Sequence, residues 1–137
     1  MQAKDMMTEN PYTAGPGNTI YEVLWTMTDR GIRHVPVLQE NELIGILSER
    51  DMRQFSLSML DAPESIAEKL KQSVVDFMSS DVVTVSPDTP ISELIDLLIE
   101  NRVGALPVLD AVSGELAGII SYVDVLRGVR TFASDVD

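Results

Sequence analysis

The sequence contains one pattern twice, and this duplication constrains the fold more than any other feature. Met7 is matched by Met78, 71 positions later, and Pro36 is matched by Pro107 at the same spacing. The same spacing relates Asp5 to Asp76, Thr13 to Thr84, Pro16 to Pro87, Ile20 to Ile91, Glu22 to Glu93 and Val37 to Val108. Past a polar stretch around Gly114 the spacing becomes 73, which relates Gly45 to Gly118, Ser48 to Ser121 and Asp51 to Asp124. Surface turns tolerate insertions, so the change in spacing is compatible with a duplicated unit. We therefore predict two copies of one structural unit.

Each copy is predicted to have the order β-α-β-β-α. A short extended segment, at 12–14 or 82–85, ends before a proline, and a helix with an apolar stripe follows it. We expect Asn18 or Thr19 to cap that helix in the first copy and Thr89 in the second, with Pro90 in its first turn. Two strands and a second helix complete each copy. The strands are predicted at 35–38, 43–47, 106–109 and 116–120, and the helices at about 49–59 and 122–131.

One copy alone has too few elements to bury both faces of its sheet. We therefore predict an α/β (α+β) fold in which the two β-α-β-β-α repeats pack sheet to sheet around a shared core. The first repeat is placed at residues 1–60 and the second at 74–137. Residues 61–73 are assigned to a linker that contains a charged, exposed helix at 64–72.

A serine and an aspartate stand at the same predicted strand-to-helix corner in both copies. Ser48 and Ser121 follow aliphatic residues, and Asp51 and Asp124 come three positions later. The hydroxyl can cap the helix, and the carboxylate suits the first turn, where the helix dipole is positive. The same pair can instead hold the hydroxyls of a sugar, because a carboxylate accepts strong charge-assisted bonds. The spacing leaves both alternatives open.

The bulk properties exclude several classes of protein. The formal net charge of −12 opposes binding to nucleic acid and to an anionic membrane surface. The absence of cysteine excludes disulfides and cysteine-bound metals, and a single histidine cannot form a multi-histidine metal site. No apolar run is long enough for a membrane-spanning helix. The polar start of the chain lacks the apolar core of a signal peptide, so we expect a cytoplasmic protein.

Taken together, these motifs resemble a pair of CBS domains, also called a Bateman module. The resemblance rests on the repeated Ser-x-x-Asp, the Val-Pro-Val and Leu-Pro-Val strands, the Asp-x-Met lead-ins and the segment Thr84-Val85-Ser86-Pro87. It implies a pseudo-twofold pair of units with a cleft for an adenosine-type ligand such as AMP, ADP, ATP or S-adenosylmethionine. It also implies a homodimer and a sensor role toward a regulated partner protein. No enzyme or channel is attached, so we expect a stand-alone module.

The resemblance also implies which residues contact the ligand. The aspartates of the two corners would take ribose hydroxyls, and the serines would contact ribose or phosphate. The two threonines would contact the adenine edge, although each is equally well explained as an ordinary strand residue. Apolar side chains in the second copy would flank the purine. The expected ligand-binding residues are Ser121, Asp124, Thr84, Val85, Ile119, Ser48, Asp51, Thr13, Arg33 and His34.

Two basic residues distinguish the first copy from the second. Arg33 and His34 precede the Val-Pro-Val strand, where related modules place basic residues that meet phosphate, and a guanidinium fork suits phosphate oxygens. The second copy has Gly104 and Ala105 at these positions. We therefore predict at most one well-supported phosphate position per chain. The alternative is a surface arginine and a partly buried histidine that bind nothing.

Two functions are compatible with these features. The first is a regulatory module that binds an adenine nucleotide or adenosyl compound and signals to a partner, without any required cofactor or metal. The second is a constitutive dimerisation scaffold with no bound nucleotide. We expect no enzymatic activity, because the sequence offers no nucleophile–base pair, metal cluster or phosphate-binding loop. Gly45 and Gly118 are explained either by close approach of a ligand or by packing.

Overall fold

The computed structural model describes the backbone of residues 1–136 and the side chains of residues 1–131 and 133. The predicted α+β class is confirmed. The helices are α1 (Ala3–Met6), α2 (Ile20–Arg30), α3 (Glu49–Asp61), α4 (Ile66–Leu70), α5 (Ile91–Asn101) and α6 (Tyr122–Val136). The strands are β1 (Thr8–Glu9), β2 (His34–Gln39), β3 (Glu42–Ser48), β4 (Ala105–Leu109) and β5 (Leu116–Ser121). The chain divides into two compact units: a continuous unit, Tyr12–Asp81, and a discontinuous unit, Met1–Pro11 with Val82–Asp137.

In the continuous unit, β2 and β3 form an antiparallel hairpin over a core that also holds helix side chains. Thr19 caps α2, because its side chain accepts a hydrogen bond from the Glu22 amide at 3.1 Å, which confirms one of the two predicted caps. Gly31 ends α2 in the left-handed conformation, at φ 66°, which glycine adopts without strain. The fully buried members of this core are Ile20, Val23, Val35, Val37, Leu47 and Val74, with Met27 and Phe55 almost fully buried.

In the discontinuous unit, the strands form an antiparallel sheet in the order β1-β5-β4. The start of the chain is tied to this unit by backbone hydrogen bonds, from the Ala3 amide to the Thr89 carbonyl and from the Lys4 amide to the Pro87 carbonyl, each at 2.9 Å. The core consists of Ala3, Val85, Leu94, Leu98, Leu106, Val108, Ile120 and Val125.

Three local predictions differ from the structure. The extended segments at 12–14 and 82–85 are not strands, and each contributes a single bridge, from Ala14 to Val37 or from Val85 to Val108. The linker helix predicted at 64–72 is instead a 3-10 turn, Pro63–Ser65, followed by the short α4. Thr89 does not cap α5, because extended Pro90 delays the helix start by one residue. The Thr89 hydroxyl accepts from the Ser86 amide at 3.0 Å instead.

The segment that leads into each repeat belongs to the compact unit built on the other repeat. Thr8 in β1 is paired with Ile119 in β5, and Ser79 is bridged to Ile46 in β3. The compact units therefore divide the chain differently from the predicted repeat boundaries. The predicted repeat boundaries, 1–60 and 74–137, remain an assignment from the sequence. Residue 137 lies outside the described residues.

Both repeated glycines lie in strands that pair with a lead-in segment, Gly118 in β5 beside β1 and Gly45 in β3 beside Ser79. A Cβ atom on Gly118 would lie 2.6 Å from the Thr8 carbonyl oxygen, and one on Gly45 would lie 2.8 Å from the Ser79 carbonyl oxygen. The Met78 sulfur also contacts the position of a Gly45 Cβ. Of the two explanations that the sequence left open, packing is the one that these contacts support.

Replacing either glycine by alanine tests how closely the lead-in segments pack against these strands. Gly45→Ala and Gly118→Ala are expected to lower the free energy of unfolding by about 1–3 kcal/mol, because the added methyl group displaces a backbone carbonyl. Gly17→Ala is the matched control, since nothing lies within 4 Å of a Cβ atom there. Urea unfolding curves measure the effect, and equal stability of all three variants would contradict it.

Candidate functional site

The second-repeat corner is closed by hydrogen bonds between Ser121 and Asp124. One carboxylate oxygen, Asp124 Oδ2, accepts from the Ser121 amide at 2.9 Å and from the Ser121 hydroxyl at 3.1 Å. The Ser121 hydroxyl in turn accepts from the Asp124 amide at 3.2 Å. This exchange is a capping box, in which two otherwise unpaired amides of the helix start are satisfied. These bonds use only one of the two carboxylate oxygens of Asp124.

The first-repeat corner has the same capping box and one additional contact. Asp51 Oδ2 accepts from the Ser48 amide at 2.8 Å and from the Ser48 hydroxyl at 3.0 Å, and the Asp51 amide donates to the Ser48 hydroxyl at 3.2 Å. In addition, the Ser79 hydroxyl donates to Asp51 Oδ1 at 3.3 Å. The predicted helix-capping role is therefore present at both corners. Ligand contact by these residues stays a prediction.

Ser79 was missed by the sequence analysis, although the sequence contains a signal for it. The aligned lead-ins continue one residue past Met7 and Met78, to Thr8 and Ser79, so a hydroxyl residue occupies that position in both copies. Ser79 lies 28 positions beyond Asp51. The repeat pattern alone does not reveal that the second lead-in packs against the first corner.

In the discontinuous unit, the register places predicted site residues on one face of the sheet. Ser121 is opposite Ala105, and Ile119 is opposite Pro107. Because side chains alternate along a strand, these residues lie on the face opposite that of Ile120, which belongs to the core. The side chain of Ile119 is 9% exposed. This face is therefore apolar next to the Ser121 hydroxyl.

The corresponding face in the continuous unit carries a histidine. His34 is opposite Ser48, and Pro36 is opposite Ile46. His34 is half-buried and Arg33 is exposed. The structure therefore brings His34 and Ser48 together as direct cross-strand neighbours. Arg33 immediately precedes His34 in the sequence.

The residues near the two extended segments have different surroundings. Val85 is buried in the core of the discontinuous unit, and its amide donates to the Pro107 carbonyl at 3.1 Å. Val85 thus has a packing role, and its predicted contact with a purine is untested. Thr84 is exposed and Thr13 is half-buried.

Burial lowers the pKa of His34 below its ordinary value, and the positive charge of Arg33 acts in the same direction. The carboxylates of Glu49 and Asp51 oppose this shift, but they do not reverse it. His34 is therefore neutral over a wider pH range than a free histidine, and a neutral imidazole offers one donor and one acceptor.

The chemistry of the corners is that of hydrogen-bond acceptors. Among the residues that the structure describes, no three His, Cys, Asp or Glu side chains are grouped so as to hold a metal ion. Each corner instead fixes one carboxylate through its own serine. Such a carboxylate suits a neutral hydroxylated ligand or a cation.

No helix of the described residues is long and apolar enough to cross a membrane.

Comparison with known protein families decides what these corners belong to. A family model for the CBS domain matches residues 3–58 and matches again at residues 74–131. The chain belongs to the CBS-domain family. The two matches include both Ser-x-x-Asp corners, and they confirm the resemblance inferred from the repeated motifs.

Curated relatives contain CBS-like sequence within longer chains. The chain is 31% identical over 116 residues to the uncharacterized protein MK0525 of Methanopyrus kandleri, with 84% of this chain and 56% of that protein covered. It is 32% identical over 115 residues to an inosine-5'-monophosphate dehydrogenase of Thermoplasma acidophilum, with 84% of this chain and 21% of the enzyme covered. The chain thus spans between about a fifth and just over half of these relatives.

Solved CBS structures share the fold over almost the whole chain. The CBS domain pair of protein MJ0100, in complex with 5'-methylthioadenosine and S-adenosyl-L-methionine, has a TM-score of 0.79 at 22% identity, covering 96% of this chain and 97% of that chain. The protein CBSX2 in complex with AMP has a TM-score of 0.81 at 24% identity, covering 96% and 98%. At these identities the likeness establishes the fold and not the ligand.

The lowered pKa of His34 predicts a specific pH dependence of stability. Below about pH 6.5 the unfolded chain protonates this histidine before the folded chain does, so the free energy of unfolding falls as the pH falls. His34→Gln removes this titration. We therefore expect wild type to lose more stability than the variant between about pH 7.5 and pH 5.5 in urea titrations, with carboxylate effects common to both. Parallel pH profiles would contradict the shift.

Proposed function

We propose that this CBS pair is a regulatory module that binds an adenosine-type ligand at its Ser-x-x-Asp corners. The observation that carries the proposal is the state of Asp124. Its Oδ2 is held by Ser121, and Oδ1 takes no part in the capping box. The capping box therefore orients a second carboxylate oxygen that it does not itself use, and we propose that this oxygen accepts from a ligand.

A ribose ring complements such a carboxylate. Its two neighbouring hydroxyls are donors, and hydrogen bonds to a charged acceptor are stronger than those between neutral groups. Because the capping box already fixes the aspartate, little further ordering of the side chain is needed when ligand binds. Ile119 and Pro107 are buried on the same sheet face as Ser121, and we propose that a purine packs beside them. Thr84 lies next to Val85 in sequence and is proposed to contact the adenine edge.

The first-repeat corner is proposed as the position that suits a phosphate. Ser48 and Asp51 repeat the ribose-binding pattern, and Thr13 repeats the position of Thr84. Exposed Arg33 and half-buried His34 precede β2 beside this corner. A guanidinium binds phosphate oxygens well, and it would offset part of the net charge of −12. AMP, ADP, ATP and S-adenosylmethionine are all candidate ligands.

The proposed ligands are supported by the ligands that were bound in the structures of related proteins. MJ0100 was solved with 5'-methylthioadenosine and S-adenosyl-L-methionine, and CBSX2 was solved with AMP. Both kinds of ligand contain adenosine and differ in what extends from its 5' position. The ligand class that we propose for this chain is therefore defined by the adenosyl group.

The wider role that we propose is non-enzymatic. Ligand would favour one conformation of a cytoplasmic homodimer, and a regulated partner protein would bind that conformation preferentially. A ligand can shift such an equilibrium only by its difference in affinity for the two states. No metal or further cofactor takes part in this proposal.

Two observations favour a second candidate, a dimerisation scaffold with no ligand. Both Ser–Asp pairs form complete capping boxes, which stabilise α3 and α6 without any bound molecule. Large apolar side chains are also exposed on the helices, including Trp25, which is 58% exposed. An exposed tryptophan is typical of contact surfaces between proteins.

Thermal unfolding with adenosyl compounds separates these two candidates. We expect one of AMP, ADP, ATP with Mg²⁺ or S-adenosylmethionine to raise the unfolding midpoint by several degrees, because ligand at about 100 times its dissociation constant stabilises by about 2.7 kcal/mol. Asp124→Asn keeps the shape of the corner but removes its charge, so it is expected to reduce the shift to what the Asp51 corner alone supports. Asp51→Asn, at the equivalent corner, is the matched control and is expected to keep it.

The outcome that would contradict ligand binding is equally specific. If none of these compounds at millimolar concentration shifts the midpoint of the wild-type protein, the scaffold is the better description. The Ser–Asp pairs would then be helix caps only.

A further inference from the structure

The two corners differ in one hydrogen bond, and this difference bears on which of them binds ligand. The Ser79 hydroxyl donates to Asp51 Oδ1 at 3.3 Å. With Oδ2 held by Ser48, both oxygens of the Asp51 carboxylate have a donor. The capping box of Asp124 likewise engages Oδ2, so the difference between the corners is the hydroxyl that Ser79 adds at Asp51.

Ser79 is held beside Asp51 by the backbone. Its amide donates to the Ile46 carbonyl at 2.9 Å, and its carbonyl accepts from the Ile46 amide at 2.9 Å. This closed pair of bonds ties the second lead-in to β3, two residues before Ser48. The position of the hydroxyl is therefore set by the fold, although the side chain itself is exposed.

Thr8 is the equivalent residue in the other unit. It is paired with Ile119 just as Ser79 is bridged to Ile46. Thr8 also carries a hydroxyl, but it makes no side-chain hydrogen bond to Asp124 among the described residues. The two positions are matched in backbone pairing and differ in whether the hydroxyl engages the aspartate.

We infer that Ser79 is a specificity-determining residue that engages Oδ1 of Asp51 and so directs adenosyl ligands to the Asp124 corner. The inference rests on the proposed function, since it assumes that ribose hydroxyls bind these aspartates. A ligand at Asp51 has to displace the Ser79 hydroxyl from Oδ1, whereas a ligand at Asp124 meets no such competing bond from Thr8. Ser79 acts through Asp51 and is therefore a positioning residue.

The size of the expected effect follows from the strength of one exposed hydrogen bond. Such a bond contributes modestly because water competes for both partners. Removing it is expected to tighten binding at the Asp51 corner by about 3- to 10-fold. An effect of this size changes which corner is filled at low ligand concentration, but it does not exclude filling of both at high concentration.

The test measures binding to each corner separately in the full chain. Asp124→Asn leaves the Asp51 corner, and Asp51→Asn leaves the Asp124 corner. Calorimetric titration with AMP and with 5'-methylthioadenosine is compared between Asp124→Asn alone and the same variant with Ser79→Ala. The matched control adds Thr8→Ala to Asp51→Asn. Ser79→Thr, which keeps a hydroxyl, serves as the conservative variant, and circular dichroism verifies that each variant is folded.

The inference is supported if Ser79→Ala tightens binding at the Asp51 corner by the expected factor, Ser79→Thr does not, and Thr8→Ala leaves the Asp124 corner unchanged. It is overturned, with the proposed function intact, if the probes bind wild type and Ser79→Ala has no effect or weakens binding. If neither probe binds wild type or any variant, the proposed function fails and this inference fails with it.

Discussion

The capping box between serine and aspartate is the interaction on which the rest of the structure depends. It joins the last strand of each repeat directly to the following helix, β3 to α3 and β5 to α6, without a connecting loop. Two amides at a helix start would otherwise lack partners, and one residue pair satisfies both. The same hydrogen bonds fix the carboxylate in a single orientation. The capping role and the proposed ligand-binding role therefore require the same geometry and do not compete.

The two repeats use this common geometry in different surroundings. The first corner lies beside His34 and has its second carboxylate oxygen engaged by Ser79. The second corner faces Ala105 across the sheet, and its capping box engages only Oδ2 of Asp124. Duplication produced two similar corners, and side chains outside the Ser-x-x-Asp motif make them unequal. Under the proposed function, these differences would give the two corners unequal affinity for adenosyl ligands.

The sequence was sufficient for the fold class and for the repeated corners, because both follow from local patterns. Short aliphatic runs indicated the strands β2, β3, β4 and β5, helical spacing of apolar residues indicated α2 and α5, and the Ser–Asp spacing indicated the caps of α3 and α6. The contacts of Ser79 and the packing against Gly45 could not be predicted, since they join segments that are distant in sequence. The predicted role of Thr89 as the cap of α5 was wrong for a local reason, because the extended backbone of Pro90 shifts the helix start by one residue.

The exchange of lead-in segments has a consequence for the order in which the protein can form during synthesis. In the sequence, the continuous unit, Tyr12–Asp81, lies between the two segments of the discontinuous unit. All its residues are present once Asp81 has been synthesised. Thr8, by contrast, is paired with Ile119, which is synthesised 111 residues later. The first strand of the chain thus waits, with its edge unpaired, until almost the whole protein has emerged. Contacts over such separations form slowly, and an unpaired edge is a point at which nascent chains can associate with one another.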